Sequence, residues 1–469
     1  MFDHDENNDH KDIELLKEEF MKLKSGQRHQ SLHEDDFEAL IDYFEIQGDK
    51  ENWQLACELS TDIYPFSSAL LLRKAEWFLE QKQTSLALSI IQKVQTISPG
   101  DLDCLLLHSD ILIQADKAQQ AIDLLKTEIT KFDGAEKIHI LMELSDVYDE
   151  LTEFEKVYDT LKQVLVLNPK VEDALVRMCF WADVTKQQKD CIDFHIAILD
   201  KDPLYASAWY NLGLLYQSVK NYEEAIEAYE NCMALNSQFD YALRNLGECY
   251  VQQEEFDKAI AVFEEHMQIA KTEDIILETL AYCWEHKKQF AKARQYYRKA
   301  SNINPEDDTV FYRIGETYVK ERQWEKAIKS FSVALHLDKE NVNYSLALGD
   351  CLMQIEAEDE AVVCYLNAVK VKPTKKIIWL ALCKALYATD YLKECIRQLE
   401  LAEGHCGDKI EFEYFRAGIL LALGKTKESI SYFENALARD VRKASCLNNL
   451  DVEILRHPVF SDLYARYKK

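Results

Sequence analysis

The sequence predicts an all-α solenoid of antiparallel helical hairpins, and three observations predict it. Small and large apolar residues recur with a period of thirty-four residues across most of the chain. Five of the seven prolines (Pro99, Pro169, Pro203, Pro305 and Pro373) occupy one position of that period. Glycine is scarce as well, 12 in 469 residues. Long helices need few special turns, whereas a sheet with many tight hairpins needs many.

The ruler is set by Trp209-x-x-Leu212-Gly213-x-x-Tyr216, followed by Ala225 and Tyr229, with Trp209 at position four of a unit starting at 206. One period on stand Leu243, Leu246, Gly247, Tyr250, Ala259 and Phe263. The next frames give Leu277, Leu280, Ala281, Trp284, Ala293 and Tyr297, then Phe311, Ile314, Gly315, Tyr318, Ala327 and Phe331. Weaker frames follow through Gly349 and Ala361, Cys383 and Cys395, and Ala417 and Ser429. Nine consecutive frames run from 138 to about 443 without slippage. Two more, starting at 68 and 102, are separated from them by about two extra residues near Asp133 to Lys137. This places the repeat array at 68–443 and makes 34–67 a divergent helical hairpin, for about eleven to twelve hairpins in all.

Each recurring position has a physical reason. Position eight (Gly213, Gly247, Gly315, Gly349 and their counterparts) and position twenty (Ala225, Ala259, Ala293, Ala327) are small. Two helices approach to about 8–10 Å only where one side chain yields to the other. Large residues at positions four, seven, eleven and twenty-four fall at helical spacing and fill the space between hairpins. Proline at position thirty-two stops the second helix. A hairpin alone leaves an apolar face bare, so stability comes from stacking and the ends need caps. Residues 444–469 supply one: Leu447, Leu450 and Ile454 read as a continuing helix, and Pro458 opens a short closing helix. At the other end 1–33 reads as an acidic tail, unstructured over residues 1–10, with a single helix around Asp12–Leu23.

The pattern resembles the tetratricopeptide repeat family, whose signature is W-x-x-L-G-x-x-Y followed by A, F, A and P within thirty-four residues. The resemblance covers roughly 400 residues and its specificity lies in recurrence. It implies a right-handed superhelical solenoid whose first helices line a concave groove, and a partner bound at positions 2, 5, 6, 9, 12 and 13. At position six stand Asn211 and Asn245, flanked by Arg177 and Arg313; position five adds Tyr210, Arg244 and Tyr312, and position nine adds Glu248. An asparagine amide donates and accepts, which suits the backbone of an extended peptide. The pair resembles a two-rung version of the asparagine ladder in the enzyme that attaches N-acetylglucosamine to nuclear proteins. The carboxylate clamp of the chaperone-binding branch is only partly echoed, because its lysines are missing.

No catalytic signature was found. Gly418 to Thr426 imitates a phosphate loop, but five residues separate Gly418 from Gly424 and no strand precedes them. Gly424-Lys425 reads instead as the turn of the last hairpin. His4, Asp5, Asp9 and His10 carry metal-ligand chemistry on what reads as a mobile tail, Cys179 and Cys191 as a buried thiol pair, and His195 as a partly buried core histidine. No cofactor, metal or catalytic residue is assigned, and the chain is not expected to be an enzyme.

Charge narrows the partner. The formal net charge is −28, a surface that repels phosphate backbones and anionic membranes. The expected partner is a protein or peptide, with a basic segment favoured, and neither nucleic acid nor a membrane. The start of the chain lacks a secretory pattern, no apolar run reaches membrane-spanning length, and thirteen scattered cysteines fit a reducing compartment. The expectation is a cytoplasmic protein, monomeric by itself, acting as an interaction scaffold. The alternatives are an intracellular peptide receptor or regulator, and the regulatory part of an enzyme complex.

Overall fold

A computed structural model of the chain describes residues 6–27 and 31–468, with side chains from residue 13 onward. Among the described residues there are helices and turns but no strand. The chain divides into two compact units, with the boundary between Asn236 and Ser237.

The thirty-four-residue period becomes a period of helix starts. First helices begin at Ser68, Leu102, Glu172 and Ala206 in the first unit, and at Asp240, Asp274, Asp308, Val342, Lys376 and Ile410 in the second. Each is followed sixteen residues later by a second helix, for instance Tyr222–Leu235 after Ala206–Ser218 and Phe256–Ile269 after Asp240–Gln252. The one irregular unit begins at Gly134, after a short 3-10 turn at Ile129–Lys131, and there the two extra residues are absorbed. Residues 34–67 also carry a helix pair, Glu34–Gln47 and Lys50–Ile63.

What folds each pair back is a backbone device. Lys82, Asp116, Thr152, Lys186, Lys220, Glu254, Lys288, Arg322, Glu356 and Asp390 all have φ between 57° and 63°, at position fifteen of successive units, and Gly424 follows with φ 74°. At Lys220 the N–H donates to Gln217 O (3.0 Å) and the N–H of Asn221 donates to Tyr216 O (2.9 Å). That pair of bonds closes the helix end by satisfying carbonyls the helix leaves free. The same closure recurs at Lys288 and Gln289 and at Gly424 and Lys425, so Gly424-Lys425 is a turn.

The small positions are the packing seam. Every residue at positions eight and twenty from Ala75 and Ala87 to Ala417 and Ser429 is buried. A Cβ added to Gly213 would lie 2.5 Å from the Tyr229 ring, one on Gly247 2.6 Å from Phe263, and one on Gly349 2.6 Å from Tyr365. Position eight is therefore small because the aromatic ring of position twenty-four lies flat against its backbone. Among the described residues an apolar cluster runs from Leu277 to Leu463 in the second unit, and three smaller clusters lie in the first.

The ends differ from expectation. The first helix spans Glu6–Lys24, so the tail expected over 1–10 is helical from Glu6; residues 1–5, with His4 and Asp5, lie outside the described residues. Leu447 and Leu450 do not continue an α-helix: Val441–Asn449 is a 3-10 segment, and Ile454 sits in a separate helix, Val452–Arg456. Asp440 explains the break, since its carboxylate accepts from the N–H of Arg442 and competes with helical bonding. Pro458 opens the final helix, Pro458–Tyr467, whose Phe460 stacks on Phe433 at 4.0 Å.

Candidate functional site

First helices present positions 2, 5, 6, 9, 12 and 13 away from the seam, because those positions lie opposite the buried face of positions 4, 7, 8 and 11. In the first unit Arg177 is tied to Asp146, to Asp173 at 3.5 Å and to Ser145 Oγ at 3.2 Å. Tyr210 is half-buried near the Tyr229 ring. Asn211 is 1 % exposed, and its Nδ2 donates to Ser207 O at 2.8 Å. Its Nδ2 is thus spent within its own helix, while its Oδ1 is buried with no hydrogen-bond partner among the described residues.

In the second unit Arg244 bridges Glu248 (3.4 Å) and Glu273 (3.3 Å), while Arg313 pairs with Glu316 (3.0 Å). Asn245 is half-buried. Tyr312 stacks on Tyr344 with ring centroids 4.9 Å apart. Among the candidate groove residues, Tyr312 lines a sizeable hollow.

That hollow, about 570 Å³, has a floor of Tyr312, Trp324, Phe331 and Met353, and a rim carrying Glu316, Asp350, Lys320 and Lys384. Lys320 is held by Glu285 at 2.5 Å and Asp350 accepts from Tyr365 Oη at 2.6 Å. Lys384 is exposed and has no ionic partner among the described residues. A second hollow, about 430 Å³, lies in the first unit on Leu72, Arg73, Glu76, Asp103, Leu107 and Asp110, with Glu38 beside them. All of its lining residues hold positions 2, 5, 6 or 9 of their hairpins. Arg73 is neutralised there by Asp42 (2.5 Å) and Glu76 (2.9 Å), so the hollow is net acidic.

The acidity extends to the neighbouring hairpins. Burial, then Glu150 and Asp146, pushes the Asp110 carboxyl up. Burial and next Asp110 push Glu143 up to about 7. Crowded carboxylates that resist ionisation mark a surface short of cations. A scan for asparagine at position six does not see these residues; carboxylates recurring at position nine (Glu76, Asp110, Asp146) would have shown them.

No helix among the described residues is long and apolar enough to cross a membrane. Sequence profiles of the tetratricopeptide repeat match residues 204–272, 276–307 and 312–374. No curated protein matches the sequence. Among solved structures, YrrB, described as a TPR protein with an unusual peptide-binding site, is 19% identical over 42% of this chain and 97% of its own, with a TM-score of 0.35. The C-terminal part of a TPR repeat-containing protein from Cytophaga hutchinsonii is 18% identical over 52% of this chain and 99% of its own (TM-score 0.46). The APC/C Cut9–Hcn1 assembly is 14% identical over 86% and 99% (TM-score 0.31). At these levels the likenesses say nothing about what this chain binds. Helical hairpins recur every thirty-four residues and the family's profiles match three stretches of them, so residues 204–374 carry tetratricopeptide repeats.

Proposed function

We propose that this chain is an interaction scaffold that holds extended segments of a partner protein on the surface made by its first helices. The observation that carries the reading is the position of the two hollows. Both are lined chiefly by positions 2, 5, 6, 9, 12 and 13 of successive hairpins, the face left over once the seam is buried. The apolar floor at Tyr312, Trp324 and Met353 suits a large apolar side chain, an anchor of the kind that dominates binding energy. The acidic hollow at Glu38, Glu76, Asp103 and Asp110 suits Lys or Arg, in keeping with a net charge of −28. Tyr312 stays in the proposed contact set. Arg177, Arg244, Glu248 and Arg313 enter it only by exchanging an ion pair they already make, and Asn211 supports the helix behind the surface.

The reading is tested by selecting a displayed random-peptide library on the full chain and measuring the selected peptides by fluorescence polarisation. Ala347→Trp, which fills the hollow at Tyr312, or Asp110→Lys, which reverses charge in the acidic hollow, should weaken them roughly tenfold or more, as loss of a binding anchor does. Val363→Asp, on an exposed stretch of a second helix, should leave affinity unchanged. Peptides indifferent to both first-helix changes but lost on Val363→Asp would place the contact on the opposite face and overturn the proposal.

A further inference from the structure

One cluster is absorbed neither by the packing seam nor by the groove. Cys179, on the helix Glu172–Val184, and Cys191 and His195, on the helix Gln188–Leu199, hold positions eight, twenty and twenty-four of one hairpin. His195 stands where other units place a large apolar residue, and it is 0 % exposed rather than partly buried; Cys191 is also 0 % and Cys179 8 % exposed. Both sulfurs and a ring nitrogen of His195 lie within 4.8 Å of one another.

The hydrogen bonding fixes what each atom offers. His195 Nδ1 lies 2.8 Å from the Cys191 carbonyl oxygen, which only an N–H can approach favourably, so Nδ1 carries the proton. The lone pair is then on Nε2, which faces Cys179 Sγ at 3.6 Å. Metal-bound histidines are oriented in this way, the second nitrogen donating to a backbone carbonyl. The separation also fits: with zinc–sulfur bonds of about 2.3 Å and zinc–nitrogen bonds of about 2.0–2.1 Å, a tetrahedral edge between the two donors is about 3.6 Å. Cys191 Sγ lies 3.7 Å from Nδ1 of the same ring and reaches a metal on Nε2 by swinging toward it.

The second unit contains a built-in comparison. Cys383 and Cys395 occupy the same two positions, with Leu399 in place of the histidine, and all three are fully buried. There the sulfur of Cys395 points at the Cys383 carbonyl (3.4 Å) and that of Cys383 at the Cys395 carbonyl (4.0 Å). Two thiols at these positions alone settle on the main chain. Adding His195 turns both sulfurs to one ring.

We propose that Cys179, Cys191 and His195 form a buried binding site for one zinc ion, with the remaining coordination position left to a water at the Cys179 side. Two thiolates and a neutral imidazole leave zinc(II) with no net charge, which burial tolerates, whereas copper(I) on the same donors would leave a buried negative charge. Binding displaces two thiol protons to solvent.

The test is an anaerobic titration of the reduced, metal-stripped full chain with zinc against a chromophoric chelator, and separately with copper(I). One zinc per chain is expected, with sulfur and nitrogen neighbours in the zinc X-ray absorption spectrum. His195→Leu copies the Leu399 arrangement, so it should keep the helical circular dichroism and lose zinc affinity roughly 100-fold or more, since removing a ligand costs at least what removing its outer partner does. Cys179→Ala gives a second variant with the same expected loss, and Cys383→Ala should leave zinc binding intact. Absence of stoichiometric zinc, equal affinity in wild type and His195→Leu, or retention of copper(I) without zinc each overturns the assignment.

Discussion

Gly247→Ala tests the packing rule on which the array rests. A Cβ at this position falls 2.6 Å from Phe263 Cζ and 2.7 Å from Cε1, close to 1 Å inside the roughly 3.5 Å at which carbon atoms attract best. The ring is 0 % exposed and has no open space to retreat into. Overpacking of a core in this manner costs about 1–3 kcal/mol. Replacing a helical glycine returns up to about 1 kcal/mol. Ala281 and Tyr297 hold the corresponding positions of the next hairpin, both buried, so an alanine and an aromatic ring coexist when the helices are set for them. The cost at Gly247 is that of resetting one hairpin, and the net loss expected is about 1 kcal/mol. Its diagnostic feature is a change of sign. In a Phe263→Leu background the two nearest ring atoms are gone, and Gly247→Ala should stabilise by about 0.5–1 kcal/mol. A four-member mutant cycle, read from the local opening free energies of amides in 240–269 by hydrogen exchange, measures both effects in one hairpin. If Gly247→Ala has the same sign and size in both backgrounds, the ring does not dictate the glycine and the explanation of position eight fails.

Two further outcomes follow from the turns and the charges. Lys288 holds φ 58° on an exposed turn, a conformation costing a side-chain-bearing residue about 1–2 kcal/mol; after the entropy glycine loses on folding, Lys288→Gly should raise stability by about 0.5 kcal/mol, and Gly424→Ala should lower it, both read from urea midpoints. Glu143 has a folded pKa pushed up to about 7 from an ordinary 4.5, so the folded chain holds this proton more tightly than the unfolded one. Its effect on stability is nil below about pH 4.5 and grows unfavourable as pH rises through 7. Glu143→Gln should therefore change little at pH 4 and add about 1–2 kcal/mol at pH 8, less than the full shift because the side chain is partly solvated; an equal gain at both pH values would contradict the assignment.

The fold was legible because its determinants are repeated and local. Gly213, Ala225 and Tyr229 mean little singly, but their recurrence in register fixes which helix packs on which. Position fifteen shows the converse. The left-handed residue that turns these hairpins is Lys, Asp, Thr, Glu or Arg in ten units and Gly at 48 and 424, so no residue type marks it. The turn is exposed, and a cost near 1 kcal/mol is spread over an array whose seam can bear it. The caps were less legible because nothing repeats there: Leu447 and Leu450 keep helical spacing while their backbone winds as a 3-10 turn. The cysteine–histidine cluster is hidden in the sequence because Cys179, Cys191 and His195 fit the seam by size, and only the structure sets both sulfurs beside one ring.

The groove residues were legible least, and the repeat itself is the reason. In a stack with a thirty-four-residue period, residues about one unit apart become neighbours on adjacent first helices. A cation on a first helix can therefore have a carboxylate within reach that no local window contains. Arg73 reaches Asp42, Arg177 reaches Asp146, Lys320 reaches Glu285 and Lys376 reaches Glu411, separations of 31, 31, 35 and 35 residues. Each such pair adds at most about 1 kcal/mol, but together they remove from the open face several cations that the sequence places there. What stays available is the excess, carboxylates such as Asp103 and Asp110 and the unpaired Lys384 on the far rim. Available charge on a solenoid is thus what remains after pairing between repeats, and on this chain that remainder is mostly negative.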